Sequence, residues 1–224
     1  MRVLVLDTET SGLPKTKIIN FETLCLWPHV VQFSYVIFEN DLLKVVDNIV
    51  KVPANVEITE ENSNIHGITK NITQTKGKCI IEIIEEFMND FNDVDLIVAH
   101  NIEFDLNMIK VEIMRIIKQK SNNTMYNIYL EKIILTKKIF CTLKETTNFC
   151  ELKIKRKNGS EYNKFPKLSE LHNKLFGIIP NNLHNSLNDV LITLRCFYKF
   201  KYDLDLIVTN KKIEKMMKHI VISY

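Results

Sequence analysis

The chain has 224 residues, 46% of them hydrophobic and 25% charged, a balance that excludes a disordered or fibrous chain and matches an ordinary globular protein. The length suits one large domain, or one domain with additions, and can bury a core without disulfide staples. The formal net charge of +3 permits an anionic partner without requiring one.

Residues 2–6, with an apolar run from Val3 to Leu6, read as a buried strand that ends on Asp7 and Glu9. Side chains alternate along a strand, so these two acids point to one side, and they repel unless something positive lies between them. Residues 29–40 alternate and are rich in β-branched and aromatic side chains, which predicts a second strand. Residues 42–52 follow a turn signal at 39–41 and predict a third strand, antiparallel to the second. Residues 56–69 are polar and contain Gly67, so a loop with one helical turn is expected there.

Ile80, Ile83, Ile84, Phe87, Met88 and Phe91 recur at helical spacing and predict a helix within 77–91 with an acidic outer face. Residues 95–101 form a short apolar run of the buried parallel-strand type. Residues 103–120 predict a second amphipathic helix whose basic last turn suits the helix dipole. The pattern over 119–138 assigns no element. Residues 138–143 predict a short strand, and 151–165 a basic hairpin around Asn158 and Gly159. A short helix over 167–177 is stopped by Gly177. A long helix is expected over 186–200 and a last one over 205–222, with Ile213, Met216, Met217 and Ile220 on its packing face. A strand meander followed by alternating helices and strands predicts a mixed α/β fold, a central sheet covered by helices.

The five cysteines are odd in number and form no CxxC, which argues against a disulfide framework or a zinc site. A reducing, intracellular compartment, cytoplasmic or nuclear, is expected. No apolar run reaches about 18 residues, so no membrane span is expected. No secretory signal pattern opens the sequence.

Three more groups stand in suggestive context: Asp105 just after the apolar run 95–101, and His184 with Asp189 at the start of a late helix. Each has a plain structural reading. Acids at strand ends are commonly solvated, Asp105 suits the first turn of a helix, and a lone histidine is commonly structural. Asp189 is harder to dismiss, because it stands beside apolar positions of a core-facing helix, where a buried acid needs a partner. Hard oxygen ligands of this kind suit Mg²⁺ or Mn²⁺.

Taken together, the DxE of Asp7 and Glu9, the HNxxFD ending at Asp105 and the HxxxxD of His184 and Asp189 resemble the DEDDh 3′→5′ exonucleases of the ribonuclease-H-like superfamily. The resemblance covers about residues 1–200, and the string at 65–69 and the stretch 164–177 also look like family sequence. It implies a mixed five-stranded sheet with helices on both faces. By the same resemblance, Asp7, Glu9, Asp105 and Asp189 hold two Mg²⁺ or Mn²⁺ ions and His184 is the general base. The implied reaction is hydrolysis of single-stranded or frayed 3′ ends, DNA being the expected polymer, with release of nucleoside 5′-monophosphates. An exoribonuclease is the alternative, and a non-catalytic nucleic-acid or polymerase interaction module is a third reading. Residues 1–200 are then the exonuclease domain and 201–224 a helical extension packed on it.

On the substrate side, the resemblance places the terminal nucleotide against Thr10, Ser11, Gly12 and Leu13. Gly12 allows close approach of the backbone to a sugar, and Leu13 suits a wedge between bases. A plain turn closed by Pro14 is the alternative. His66, Asn101 and Phe104 are further candidates, though Phe104 also reads as core and His66 as a turn residue. Lys153, Lys155, Arg156, Lys157, Lys164 and Lys167 interleave with Tyr162 and Phe165, a composition that suits a nucleic-acid backbone with stacked bases. A solvated hairpin is the alternative.

Overall fold

A five-stranded mixed sheet of order β3-β2-β1-β4-β5 forms the centre of the computed structural model, which describes residues 1–40, 42–120, 123–135 and 138–221. Its strands are β1 (Val3–Thr10), β2 (Val30–Glu39), β3 (Leu42–Ile49), β4 (Leu96–Ala99) and β5 (Ile139–Cys141). The meander β1-β2-β3 is antiparallel, and β4 and β5 continue the sheet in parallel with β1. The turn expected at 39–41 includes residue 41, which lies outside the described residues.

β1 is longer than its apolar run. Asp7, Thr8 and Glu9 stay in register with Ser34, Phe33 and Gln32 of β2, so the acids lie within the strand and not beyond its end. Backbone pairing is indifferent to side-chain polarity, and β2 supplies the partner groups. A register shift follows between Glu9 and Thr10, which pairs with Val30. Such a bulge increases the local twist and re-aims the chain.

The two faces of β1 belong to two cores. Leu4 and Leu6 pack with Ile83, Phe87, Ile109 and Ile113 on α3 (Ile80–Phe91) and α4 (Ile102–Gln119). Val3 and Val5 pack with Val190 and Leu194 on α9 (Ser186–Tyr202) and with Ile213, Met217 and Ile220 on α11 (Lys211–Val221). Each of the three α11 side chains is fully buried and contributes roughly 1.5–3 kcal/mol relative to exposure.

Several expectations are corrected. The polar stretch 56–69, read as a loop with one helical turn, holds the seven-residue helix α1 (Glu60–His66), and a second, α2 (Lys70–Lys76), follows it in residues where no element is expected. Thr59 and Thr69 cap them, their hydroxyls accepting from the Asn62 and Ile72 N–H groups, and Gly67, at φ 74°, ends α1. The unassigned stretch contains α5 (Thr124–Leu135), although 121–122 and 136–137 lie outside the described residues. One-turn helices α6 (Thr142–Glu145) and α7 (Thr147–Cys150) follow β5. The hairpin forms as β6 (Lys153–Lys155) and β7 (Glu161–Asn163), a separate two-stranded sheet, and α8 (Leu168–Phe176) ends at Gly177. The expected last helix is two, α10 (Leu206–Thr209) and α11, because Asn210 is extended and its Oδ1 accepts from the Lys212 and Ile213 N–H groups at 3.1 Å each. Residue 222, expected in that helix, lies outside the described residues. A boundary at residue 200 falls inside the last turn of α9. Among the described residues no helix is long and apolar enough to cross a membrane.

Candidate active site

Asp7 and Glu9 continue the Val3/Val5 face of β1 beyond the point where the core ends, and Asp189 meets them from the first turn of α9. One carboxylate oxygen of each lies within 4.8 Å of the others. Asp105 arrives differently. It projects from α4 on the opposite face of the sheet, is 2% exposed, and accepts from the Thr8 N–H at 2.9 Å and the Thr8 hydroxyl at 2.8 Å through one oxygen. The structure therefore gathers three of the four acids into one trio and holds the fourth through the residue between Asp7 and Glu9.

Burial and mutual repulsion push these acids up. Asp7 rises to about 7 through burial, with the Ser186 hydroxyl working the other way. Glu9 rises to about 8 through burial and then the charge of Asp7. Asp189 rises to about 9 through burial and the charges of Asp7 and Glu9, against the His184 N–H that donates to it. Burial and then Asp7 raise Asp105 well above the carboxylate range, although both Thr8 donors favour its charged form. Among the described residues no lysine or arginine forms an ion pair with any of the four. The donor set is all carboxylate, and Asp189 Oδ1 is buried without a hydrogen-bond partner. Both features fit a hard divalent cation such as Mg²⁺ or Mn²⁺.

His184 is exposed and sits in the left-handed region at φ 68°. Its backbone N–H donates to Asp189 Oδ2 at 3.2 Å, which keeps the residue at the rim of the acidic trio. Ser186 closes the turn below it, its hydroxyl donating to the Asp7 carbonyl at 2.6 Å and its N–H to Gln32 Oε1 at 3.2 Å.

The segment after β1 stands beside this cluster. The Thr10 hydroxyl donates to the Gly12 carbonyl at 2.7 Å, and Leu13 is 81% exposed. Gly12 is not in the left-handed region, and a Cβ there meets Asn62 Nδ2 at an ordinary 3.7 Å, so the protein itself does not demand glycine at this position. α1 packs over the segment, with Asn62 Nδ2 donating to the Ser11 carbonyl at 2.9 Å. His66, on the same helix face, is buried, and its Nδ1 accepts from the Ile68 N–H, which leaves the ring proton on Nε2, an atom without a hydrogen-bond partner. Burial holds His66 below its usual range, with the Thr10 carbonyl pulling the other way.

Asn101 and Phe104 lie on the other side. Asn101 is exposed at φ 75° before α4, and Phe104 packs partly on the core. Both line a cavity of about 560 Å³ with Lys15, Lys17, Trp27 and Asn107. The hairpin residues Lys153, Lys155, Arg156 and Lys157 are exposed, and the Arg156 guanidinium lies 4.8 Å from the Tyr162 ring centre. They are not part of the acidic cluster. Lys164 is engaged elsewhere, bonded to Glu170 at 2.5 Å, and the Lys167 N–H also donates to Glu170.

Sequence reasoning missed Thr8, Gln32, Ser186 and His100. The His100 Nε2 meets the Pro166 carbonyl and its Nδ1 meets the Thr142 hydroxyl, each at 3.0 Å. A carbonyl accepts only, so Nε2 carries the proton, and burial keeps the ring neutral, near 4. The position of Thr8 between two acids on a strand was the available signal, since alternation turns it to the face from which Asp105 comes.

The model of the RNase_T family, described as exonuclease, matches residues 4–197. Among solved structures, E. coli Exonuclease I in complex with a dA16 oligonucleotide is similar at a TM-score of 0.60 and 16% identity, covering 96% of this chain and 45% of that one. Exonuclease I from Methylocaldum szegediense gives 0.59 at 15% identity, covering 96% and 44%. The zinc-bound E. coli Exonuclease I complex with single-stranded DNA gives 0.60 at 16%, covering 97% and 45%. The chain thus spans less than half the length of these proteins. At this identity the likeness shows the fold, which is ribonuclease-H-like. No curated protein sequence matches.

Proposed function

The chain belongs to the RNase_T exonuclease family, and from that membership we propose that it is a divalent-cation-dependent 3′→5′ exonuclease acting on single-stranded or frayed DNA ends and releasing nucleoside 5′-monophosphates. The observation that carries the reading is the trio Asp7, Glu9 and Asp189, an all-oxygen donor set with raised pKa values and one buried oxygen without a partner. The DNA oligonucleotides held by E. coli Exonuclease I support the choice of polymer.

Asp7, Glu9 and Asp189 would hold the cations, with Asp105 completing the set for two ions. When bound, such ions stabilise charge on the attacking and leaving oxygens of an in-line displacement and lower the pKa of water. His184, at the exposed rim, takes the proton of the attacking water as a general base. Thr8 fixes the direction of Asp105, and Ser186 fixes the start of α9 against β1. Leu13 separates the last two bases, while Thr10 and Gly12 carry the terminal sugar. His66, buried behind Thr10, borders the strand from beneath that segment. Asn101 and Phe104 border the terminal nucleotide, and Lys153, Lys155, Arg156 and Lys157 track the strand upstream. Residues 1–200 make up the nuclease unit and 201–224 a C-terminal addition.

A time course on 5′-labelled DNA and RNA of equal sequence, with Mg²⁺ and with EDTA, tests this. A ladder shortening from the 3′ end of DNA in Mg²⁺ alone is expected. Equal shortening of RNA would favour the exoribonuclease reading, and no shortening of either would leave a binding module.

A further inference from the structure

We infer that α11, which lies beyond the residues matched by the family model, is a positioning element for His184 and acts through the loop between α8 and α9. The inference rests on the proposed role of His184 as proton acceptor.

That loop holds two non-glycine residues in the left-handed region, Asn182 at φ 54° and His184 at φ 68°. A β-carbon disfavours this conformation, so it persists where the surroundings hold it. Three restraints hold this one. Two carbonyls in the last turn of α11 face this loop. The Asn181 N–H donates to the Ile220 carbonyl at 2.7 Å, and Asn182 Nδ2 reaches the His219 carbonyl at 3.4 Å. From α9, Asn188 Nδ2 donates to the Asn182 carbonyl at 2.8 Å. Beyond His184, Ser186 is bonded to β1 and β2. His184, whose own N–H donates to Asp189 Oδ2 at 3.2 Å, lies between two further anchored points. One is β1, which carries Asp7, and the other is the end of α11.

The α11 anchor is itself fixed. Ile213, Met217 and Ile220 are fully buried in the core that contains Val3, Val5 and Val190. Lys212 Nζ donates to the Leu43 carbonyl at 2.8 Å and ties the far end of the helix to β3. The helix transmits the frame of the sheet to the loop. The bonds to Asn181 and Asn182 lie at the exposed surface, where they fix geometry more than they add stability.

The test compares the unaltered chain with Asn188→Ala, a chain ending at Lys218, and Lys212→Ala. Asn188→Ala and the shortened chain should turn over a single-stranded oligonucleotide at least tenfold more slowly, with KM within twofold. In Asn188→Ala, amide hydrogen exchange over 181–185 should rise at least tenfold while β1 stays protected. Lys212→Ala, which loosens the tie of α11 to β3, should slow turnover in the same direction with KM again within twofold. In a His184→Ala background, Asn188→Ala should cost nothing further, because the residue it positions is gone. Unchanged exchange over 181–185, or a full further tenfold loss in that background, overturns the inference. If the unaltered chain cleaves nothing, the nuclease reading falls, and the exchange comparison alone judges the tether.

Discussion

Thr8 donates both its backbone N–H and its hydroxyl to a single oxygen of Asp105, 97 residues away, at 2.9 and 2.8 Å. The pair crosses from β1 to α4 and sets the direction of the one acid that comes from the far face of the sheet. A hydrogen bond to an ionised group contributes about 1.5–3 kcal/mol. Thr8→Val keeps the shape of the residue and removes the hydroxyl, leaving the backbone donor. We expect kcat to fall roughly tenfold or more, since about 1.4 kcal/mol is tenfold in rate. Single-turnover rates check this, and a variant within twofold of the parent would show that the backbone donor suffices.

The raised acids predict an unusual stability profile without metal. Burial holds Asp7 at about 7, Glu9 at about 8 and Asp189 at about 9 in the folded chain, against about 4 when unfolded. Between those limits the folded state binds more protons, so its stability falls as pH rises through the window. The buried His100 and His172, each near 4, pull the other way only below about pH 6.5. In EDTA the thermal midpoint should therefore drop from about pH 6.5 to about pH 8.5. Mg²⁺ should raise it more at the higher pH, and Asp189→Asn should flatten the slope while abolishing cleavage. A flat parent profile in EDTA would count against the repulsion described here.

His184 is the next test. As a general base it should account for about 10²–10⁴ in kcat, with little effect on substrate binding. His184→Ala is expected to show that loss with Kd for a single strand unchanged. Activity within a few-fold of the parent would mean the reaction needs no base from this residue.

The hairpin offers a test by salt. Each phosphate contact adds roughly 0.7 to the slope of log affinity against log salt for a single strand. Replacing Lys153, Lys155, Arg156 and Lys157 by Ala should weaken binding of a long oligonucleotide and flatten that slope. Turnover of a dinucleotide, too short to reach the hairpin, should hardly change. Lys153 and Lys155 lie 4.0 Å from Glu161, contacts long enough to yield to a phosphate. An unchanged slope would assign the hairpin to the solvent.

Some of this architecture was legible in the residues and some was not. Alternation put Asp7 and Glu9 on one side of a strand, and Asn158 with Gly159 announced the hairpin turn. The face on which each acid arrives depends on which helix covers which side of β1, and single-strand alternation carries no such information. For that reason the separation of Asp105 from the trio became visible only with the sheet in place. The full length of α1 and the whole of α2 were missed because their polar sequences lack a strong apolar stripe. Their threonine caps, Thr59 and Thr69, were local signals that an apolar-periodicity reading passes over. Lys164 counted as part of a basic cluster because nothing local reveals that Glu170 holds it. The left-handed backbone of His184 is imposed by tertiary bonds and has no trace in the string around it.

The spread of the four acids along the chain bears on what holds the site together. The acids come from positions 7, 9, 105 and 189, so the trio exists only when the two ends of the chain have met. With α9 undocked, Asp7 and Glu9 would lie open to water without Asp189 beside them. Long-range closure of this kind is slow compared with local helix formation. A lesion that loosens α9 from β1 is therefore expected to disperse the trio first.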